Sequence, residues 1–267
     1  MDPTTFLFCL TAFGACVAGK LCGMGGGVII KPVLDAFGIL SVDTINFLSG
    51  CTVLSMTCWS VGRSVTAGAR DIDFRCSTPL ALGAALGGAL GKRLYAFAET
   101  CFADADMAGG VQACILFAAT LATLIYTLRK ERITSYRVSS RAACCGIGLA
   151  LGILGAFLGI GGGPFNMAVL YFFFSMPTKT AVQNSLYIIL FSQAASLLQT
   201  LLTGTLPLFS GRMLVGMVLC AVIGSELGGI INEKLTDRAI TRLFECTMAA
   251  ILCINLYNIW SYLLRKG

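Results

Sequence analysis

The sequence predicts an all-α, polytopic integral membrane protein of about eight spans, built as two tandem four-span repeats, each with a glycine-broken or re-entrant helix. Three observations carry that prediction. Of the 267 residues, 57% are hydrophobic and 12% are charged, with a mean hydropathy of +0.84, whereas a soluble domain carries charge on about a quarter of its residues. Apolar windows of about 20 residues, the length that crosses a hydrocarbon core about 30 Å thick, recur along the whole chain. A cluster of glycines interrupts the pattern twice, at a spacing of 136 residues.

In chain order the windows run from Thr5 to Gly23, Thr44 to Gly62, Ser77 to Tyr95, Met107 to Leu128, Ala142 to Ile160, Ala181 to Leu202, Arg212 to Ile231 and Cys246 to Leu264. Two apolar pieces of 13 residues are left over: Val28 to Leu40 after the first window and Pro164 to Met176 after the fifth. An unbroken helix over residues 6 to 40 would be about 52 Å long, far more than the bilayer core. The helix must therefore break at the glycines. The piece beyond each break is either the rest of a broken span or a re-entrant half-helix, which a membrane tolerates only where protein or a water-filled cavity surrounds the break.

The interruptions are copies of each other. Gly19, Gly23, Gly25, Gly26, Gly27, Val33 and Leu34 map at an offset of 136 onto Gly155, Gly159, Gly161, Gly162, Gly163, Val169 and Leu170. Thr44 then meets Thr180, Ser49 meets Ser185 and Gly68 meets Gly204; after a slip of one residue, Gly87 and Gly91 meet Gly224 and Gly228. The chain divides into a first repeat at 1–137 and a second at 138–267, forming one membrane domain with its site expected at the repeat interface. Simple alternation of eight spans places eleven basic residues on one side against seven, and re-entry of the short pieces places twelve against six. Both counts put the basic 129–141 connection in the cytoplasm and the protein in the cytoplasmic membrane. Re-entry gives five elements per half, an inverted repeat with both termini outside.

The charge of +6 lies in short clusters between apolar runs, with no basic stripe, which argues for topology signals and against nucleic acid. Zero histidine removes imidazole bases, Ser-His-Asp and Cys-His nucleophiles, and histidine metal sites. The thirteen cysteines are odd in number, lack a Cys-x-x-Cys and fall inside apolar segments, so they read as small apolar residues rather than disulfides or metal ligands. The start Met1-Asp2-Pro3 does not read as a cleavable signal peptide. No cofactor is expected.

Gly23-Met24-Gly25-Gly26-Gly27 with Lys31-Pro32-Val33-Leu34, and Gly159-Ile160-Gly161-Gly162-Gly163-Pro164 with Thr180-Ala181-Val182-Gln183-Asn184-Ser185-Leu186, resemble the TauE/SafE sulfite exporter family. The resemblance covers the whole chain and implies transport of small, often sulfur-containing anions such as sulfite, sulfonates or sulfoacetate-like compounds. In the first half Asn46, Phe47 and Leu48 stand where the second has Val182, Gln183 and Asn184, a departure from the family pattern.

Independently of that resemblance, Gly23, Gly25, Gly26, Gly27, Gly159, Gly161, Gly162 and Gly163 are candidates for an anion site. Consecutive glycines let a ligand approach bare N–H groups, and a half-helix that starts after them aims the positive end of its dipole inward. Pro164 suits the first position of such a helix. Close helix packing is the other reading of a glycine, and the favoured one for Gly87, Gly88, Gly91, Gly224, Gly228 and Gly229. Gln183, Asn184 and Ser185, with Gln193 and Gln199 further on, and Thr44, Asn46, Ser49 and Thr52 in the first half, are candidate ligands or helix-to-helix hydrogen bonders. Lys20 and Glu226 are charges in apolar runs, read as functional by default, with Glu226 the coupling candidate; an ion pair between them is the structural alternative. Trp59 and Trp260 are expected at membrane interfaces.

These readings lead to a secondary transporter of small anions, partnered by its substrate and the bilayer, with a homodimer left open. The alternatives are a non-transporting subunit or sulfur-carrier docking protein, and a cysteine-based membrane enzyme, which lacks a nucleophile–base pair in this sequence.

Overall fold

In the computed structural model, residues 3–68, 72–101 and 105–264 are described, and among them the chain is all helical, with no strand. Met1, Asp2, residues 69–71 of the 63–75 connection, residues 102–104 and the last three residues lie outside that description. The elements are α1 (Pro3–Cys22), α2 (Gly27–Phe37), α3 (Val42–Thr66), α4 (Phe74–Cys101), α5 (Ala105–Arg129), a single 3-10 turn (Lys130–Arg132), α6 (Arg141–Phe157), α7 (Gly163–Phe174), α8 (Thr178–Leu202), α9 (Gly211–Lys234) and α10 (Asp237–Leu264).

Among the described residues, five stretches are long and apolar enough to cross a membrane on their own: Pro3–Cys22, Gly109–Arg129, Thr178–Leu202, Gly211–Lys234 and Asp237–Ser261. The windows at 44–62, 77–95 and 142–160 are helical but fall short of that standard. Helix α3 carries Asp43, Asn46 and Arg63, and α4 carries Arg75, Lys92, Arg93 and Glu99, which dilute their apolar character. Helix α6 stops at Phe157 because Gly159 turns the chain at φ +70°.

The short helices turn back. The ring of Phe8, near the start of α1, stacks on that of Phe37, the last residue of α2, at 6.2 Å, so α2 returns along α1. Ahead of α6, Tyr136 N–H donates to the Phe172 carbonyl (2.7 Å) and Val138 N–H to the Phe173 carbonyl (2.9 Å), so the end of α7 lies beside the start of α6. Left-handed backbone makes both reversals: Gly23 and Gly25 take φ +69° and +60°, and Gly159, Gly161 and Gly162 take +70°, +76° and +80°. Glycine adopts that region without the Cβ clash that other residues meet. Pro164 follows at the start of α7, where a missing N–H is harmless.

Around the hairpins α4 packs on α6, α1 on α9, α3 on α8 and α5 on α10. The first two pairs interlock through glycine. A Cβ on Gly87 would overlap the Leu149 carbonyl and one on Gly152 the Ala84 carbonyl, while Cβ atoms on Gly224 and Gly228 would come within 2.6 and 2.7 Å of the Phe13 and Val17 carbonyls. Lipid supplies no hydrophobic drive between helices, so such backbone-to-backbone approach is what holds them. The buried centre contains Phe8, Met24, Leu34, Leu48, Ile160 and Met167, while Phe6, Leu86, Ile223 and Trp260 stand on the outside.

Candidate functional site

A cavity of about 310 Å³ opens between α1, α3, α8 and α9. At its deep end is Lys20, in the last turn of α1 and 6% exposed. Its ammonium donates to Ser60 Oγ (2.5 Å) and Gln183 Oε1 (3.2 Å). The end of a helix is a favourable place for a cation, since unpaired carbonyls there carry partial negative charge. Arg63, Lys179, Glu226 and Glu233 line the wider part. Glu226 forms an ion pair with Arg63 and accepts a hydrogen bond from Trp59 Nε1 (2.9 Å). Glu226 is thus held by α3, where the sequence offers Lys20 as its partner, and Trp59 borders the cavity.

Three cations and two carboxylates therefore face this space. Removing one carboxylate charge makes this space more electropositive: with a small inorganic anion as probe, Glu226→Gln is expected to lower Kd at least about threefold, an effect that salt weakens because the group is partly exposed. Titration at low and high ionic strength checks this; an unchanged Kd at low salt places the anion elsewhere.

The glycine clusters meet each other, and Gly159 borders a small pocket with Asn46 and Gln193. A Cβ on Gly27 would lie 2.9 Å from the Ile160 carbonyl, and one on Gly163 would overlap the Met24 carbonyl, so each turn presses on the backbone of the other. Gly23 is packed on Val182, Gly25 on Ile189, Gly26 on Cys16 and Ala15, Gly161 on Gln193, and Gly162 on Leu151. Among the described residues lining the 310 Å³ cavity, none comes from either cluster. The space a ligand would take between the turns is filled by main chain.

The polar candidates divide. Gln183 reaches Lys20 in the cavity. Ser185 Oγ donates to the Gly23 carbonyl (2.5 Å) and braces the first turn. Ser49 is buried beside Gly27, its hydroxyl without a hydrogen-bond partner. Thr52 donates back to the Leu48 carbonyl (2.7 Å), and Thr44 to the Leu208 carbonyl (3.2 Å). Gln199 is half-buried further along α8. Asn184 joins helices: its Oδ1 accepts from Ser77 Oγ (2.5 Å) and Asp73 N–H (2.9 Å), and its Nδ2 donates to the Thr180 carbonyl (2.7 Å).

Two groups escape the sequence reading. Ser60 carries no sequence signal, being one hydroxyl among many in α3. Lys31 does carry one, an ionisable residue in an apolar piece. It is 3% exposed in α2, and its ammonium donates to Asn46 Oδ1 (2.8 Å) and Gln112 Oε1. Gln112 Nε2 in turn donates to the Phe157 carbonyl (2.5 Å) at the end of α6.

Paired glycine turns, a cationic cavity and a helical membrane architecture are now matched by comparison: residues 8–256 fit the family described as Sulfite exporter TauE/SafE. The chain belongs to that family. It is also similar to the probable membrane transporter protein YunE of Bacillus subtilis (strain 168), 28% identical over 138 residues, or 51% of this chain and 49% of that protein. The match thus spans about half the length of the curated relative. No solved structure matches the chain.

In this TauE/SafE chain Asn184→Ala is expected to lose about 1–3 kcal/mol of stability, since it strips a buried hydroxyl and a backbone N–H of their acceptor. Thermal unfolding in detergent checks the loss, and an unchanged midpoint would show water replacing the amide.

Proposed function

We propose that the chain is a secondary transporter of small anions, organosulfur compounds or sulfur oxyanions such as sulfite, sulfonates or sulfoacetate-like species, across the cytoplasmic membrane. The observation that carries this reading is Lys20: a buried ammonium, bonded to Ser60 and Gln183, at the end of a cavity with more cations than carboxylates. At about 310 Å³ the cavity holds about ten water volumes, room for a small anion with part of its hydration shell. An intramembrane charge kept at such expense in hydration is a functional group by default. The family description supports sulfur oxyanions as the class. Ser60 and Gln183 orient Lys20, the braced glycine turns fix the helix end that carries it, and an arriving anion competes with Glu226 for Arg63.

The same reading makes 1–137 and 138–267 inverted repeats. The back-turned α2 and α7 support it, because each half then has an odd number of elements. Arg63, Lys179 and Glu233 at the cavity mouth belong to the side that the basic counts assign to the cytoplasm, together with 129–141. Purified protein in liposomes should move radiolabelled sulfite down its gradient with no other protein present. Vesicles that release none, nor any sulfonate, would rule the proposal out in favour of a non-transporting subunit.

A further inference from the structure

A second, smaller pocket of about 20 Å³ is lined by Asn46, Lys92, Gly159, Gln193, Ser196 and Thr200, with no carboxylate among its described lining residues. Five of its ten lining positions correspond to lining positions of the large cavity. Ser196 and Thr200 stand 136 residues after Ser60 and Ser64, Phe47 stands 136 before Gln183, and Lys92 stands 137 before Gly229, all of them lining residues. The two spaces are therefore the same place in the two halves, one wide and one nearly closed.

The cation is not copied with the rest. Ala156 lines the small pocket where the offset would place a second Lys20. Lys31 lies behind that lining instead, bonded to Asn46, its ammonium 3.3 Å from where a Cβ on Gly159 would be. Its counterpart by offset is Met167, whose sulfur lies 2.9 Å from the Cβ position of Gly23. An apolar side chain thus serves the packing at one turn, so the charge at the other answers a different need. Charged groups acting on Lys31 are Asp35 one turn along α2, Asp43 in α3 and Lys92 in α4.

We infer that Lys31 and Asn46, behind the closed pocket on the far side of the paired glycine turns, form a second station for the same small anion, used when the protein exchanges it with the opposite compartment. This rests on the transport function proposed for the large cavity. Lys20 with Ser60 and Gln183 serves one side, and Lys31 with Asn46, Gln193 and the entrance Lys92 serves the other.

Sided uptake tests it, with radiolabelled sulfite supplied to right-side-out and to inverted membrane vesicles. Lys20→Met should raise the half-saturating sulfite concentration more than tenfold in one orientation, and Lys31→Met should do so in the other. Thr200→Trp, which plugs the small pocket without touching Lys31, should act like Lys31→Met and keeps the test intact if removal of a buried lysine prevents folding. The inference is overturned if Lys31→Met and Lys20→Met weaken the same orientation, if Lys31→Met only lowers the maximal rate equally in both, as a structural pair with Asp35 would, or if Thr200→Trp leaves both unchanged. Wild-type vesicles without sulfite uptake in either orientation would overturn the transport proposal itself, a separate outcome.

Discussion

Replacing Lys20 by Met is expected to weaken sulfite binding by well over tenfold while the protein stays folded. Methionine keeps an unbranched apolar stem that fills the same channel between α3 and α9, so little packing is lost. What disappears is the ammonium at the deep end of the cavity. The acceptors it leaves behind, Ser60 Oγ and Gln183 Oε1, belong to residues that line a cavity able to admit water, so they are not stranded. A charge-assisted contact to an anion contributes about 1.5–3 kcal/mol, and 1.4 kcal/mol is already tenfold in affinity. Calorimetric titration of both proteins with sulfite gives the readout. Superimposable curves would remove Lys20 from the site, as would a lysine that merely reaches toward the membrane surface.

The largest stability loss is expected from Gly163→Ala, which should cost about 3 kcal/mol or more and leave little folded protein in detergent. A single methyl there overlaps the carbonyl of Met24, main chain that has no rotamer to escape into. Gly27→Ala meets the Ile160 carbonyl at 2.9 Å, a smaller overlap, and should cost less. Gly14→Ala and Gly146→Ala are the controls: both lie inside helices with nothing within 4 Å of the added atom. They should be neutral or stabilising by up to about 1 kcal/mol, as glycine to alanine is in a helix interior. Equal melting temperatures for all four variants would show that the turns are not in contact.

The features that could be read from the sequence are those with a local cause. Twenty-residue apolar runs, glycine interruptions and a proline at Pro164 each leave their mark within a few positions. Whether the short helices cross or return depends on Phe8 meeting Phe37 and on Tyr136 meeting Phe172, contacts between distant positions that no window contains. Charge counting leaves that question open because Lys179 and residues 234–242 change sides with the answer. In the site, Gln183 and Lys20 stand out as polar residues in apolar helices, and they meet. Their neighbour Ser60 is indistinguishable from any serine that back-bonds in a helix, and the pairing of Glu226 with Arg63 depends on how α9 lies against α3. The glycines illustrate the opposite case: their positions are legible, but bare backbone suits a ligand and another backbone equally well, and the packing of one turn on the other is visible only in the fold.

The mutual seating of the two glycine turns also governs how the protein is made. Gly27 rests on Ile160 and Gly163 on Met24, so the hairpin of α1 and α2 has no finished surroundings until its mate has been synthesised 136 residues later. At about 5–20 residues per second a ribosome needs about 7–27 s for that stretch. During that interval the Gly23 carbonyl lacks the Ser185 hydroxyl that braces it in the finished fold, and hydrocarbon penalises such a group by several kcal/mol. The first hairpin is therefore expected to reach its final packing only after the second turn has emerged.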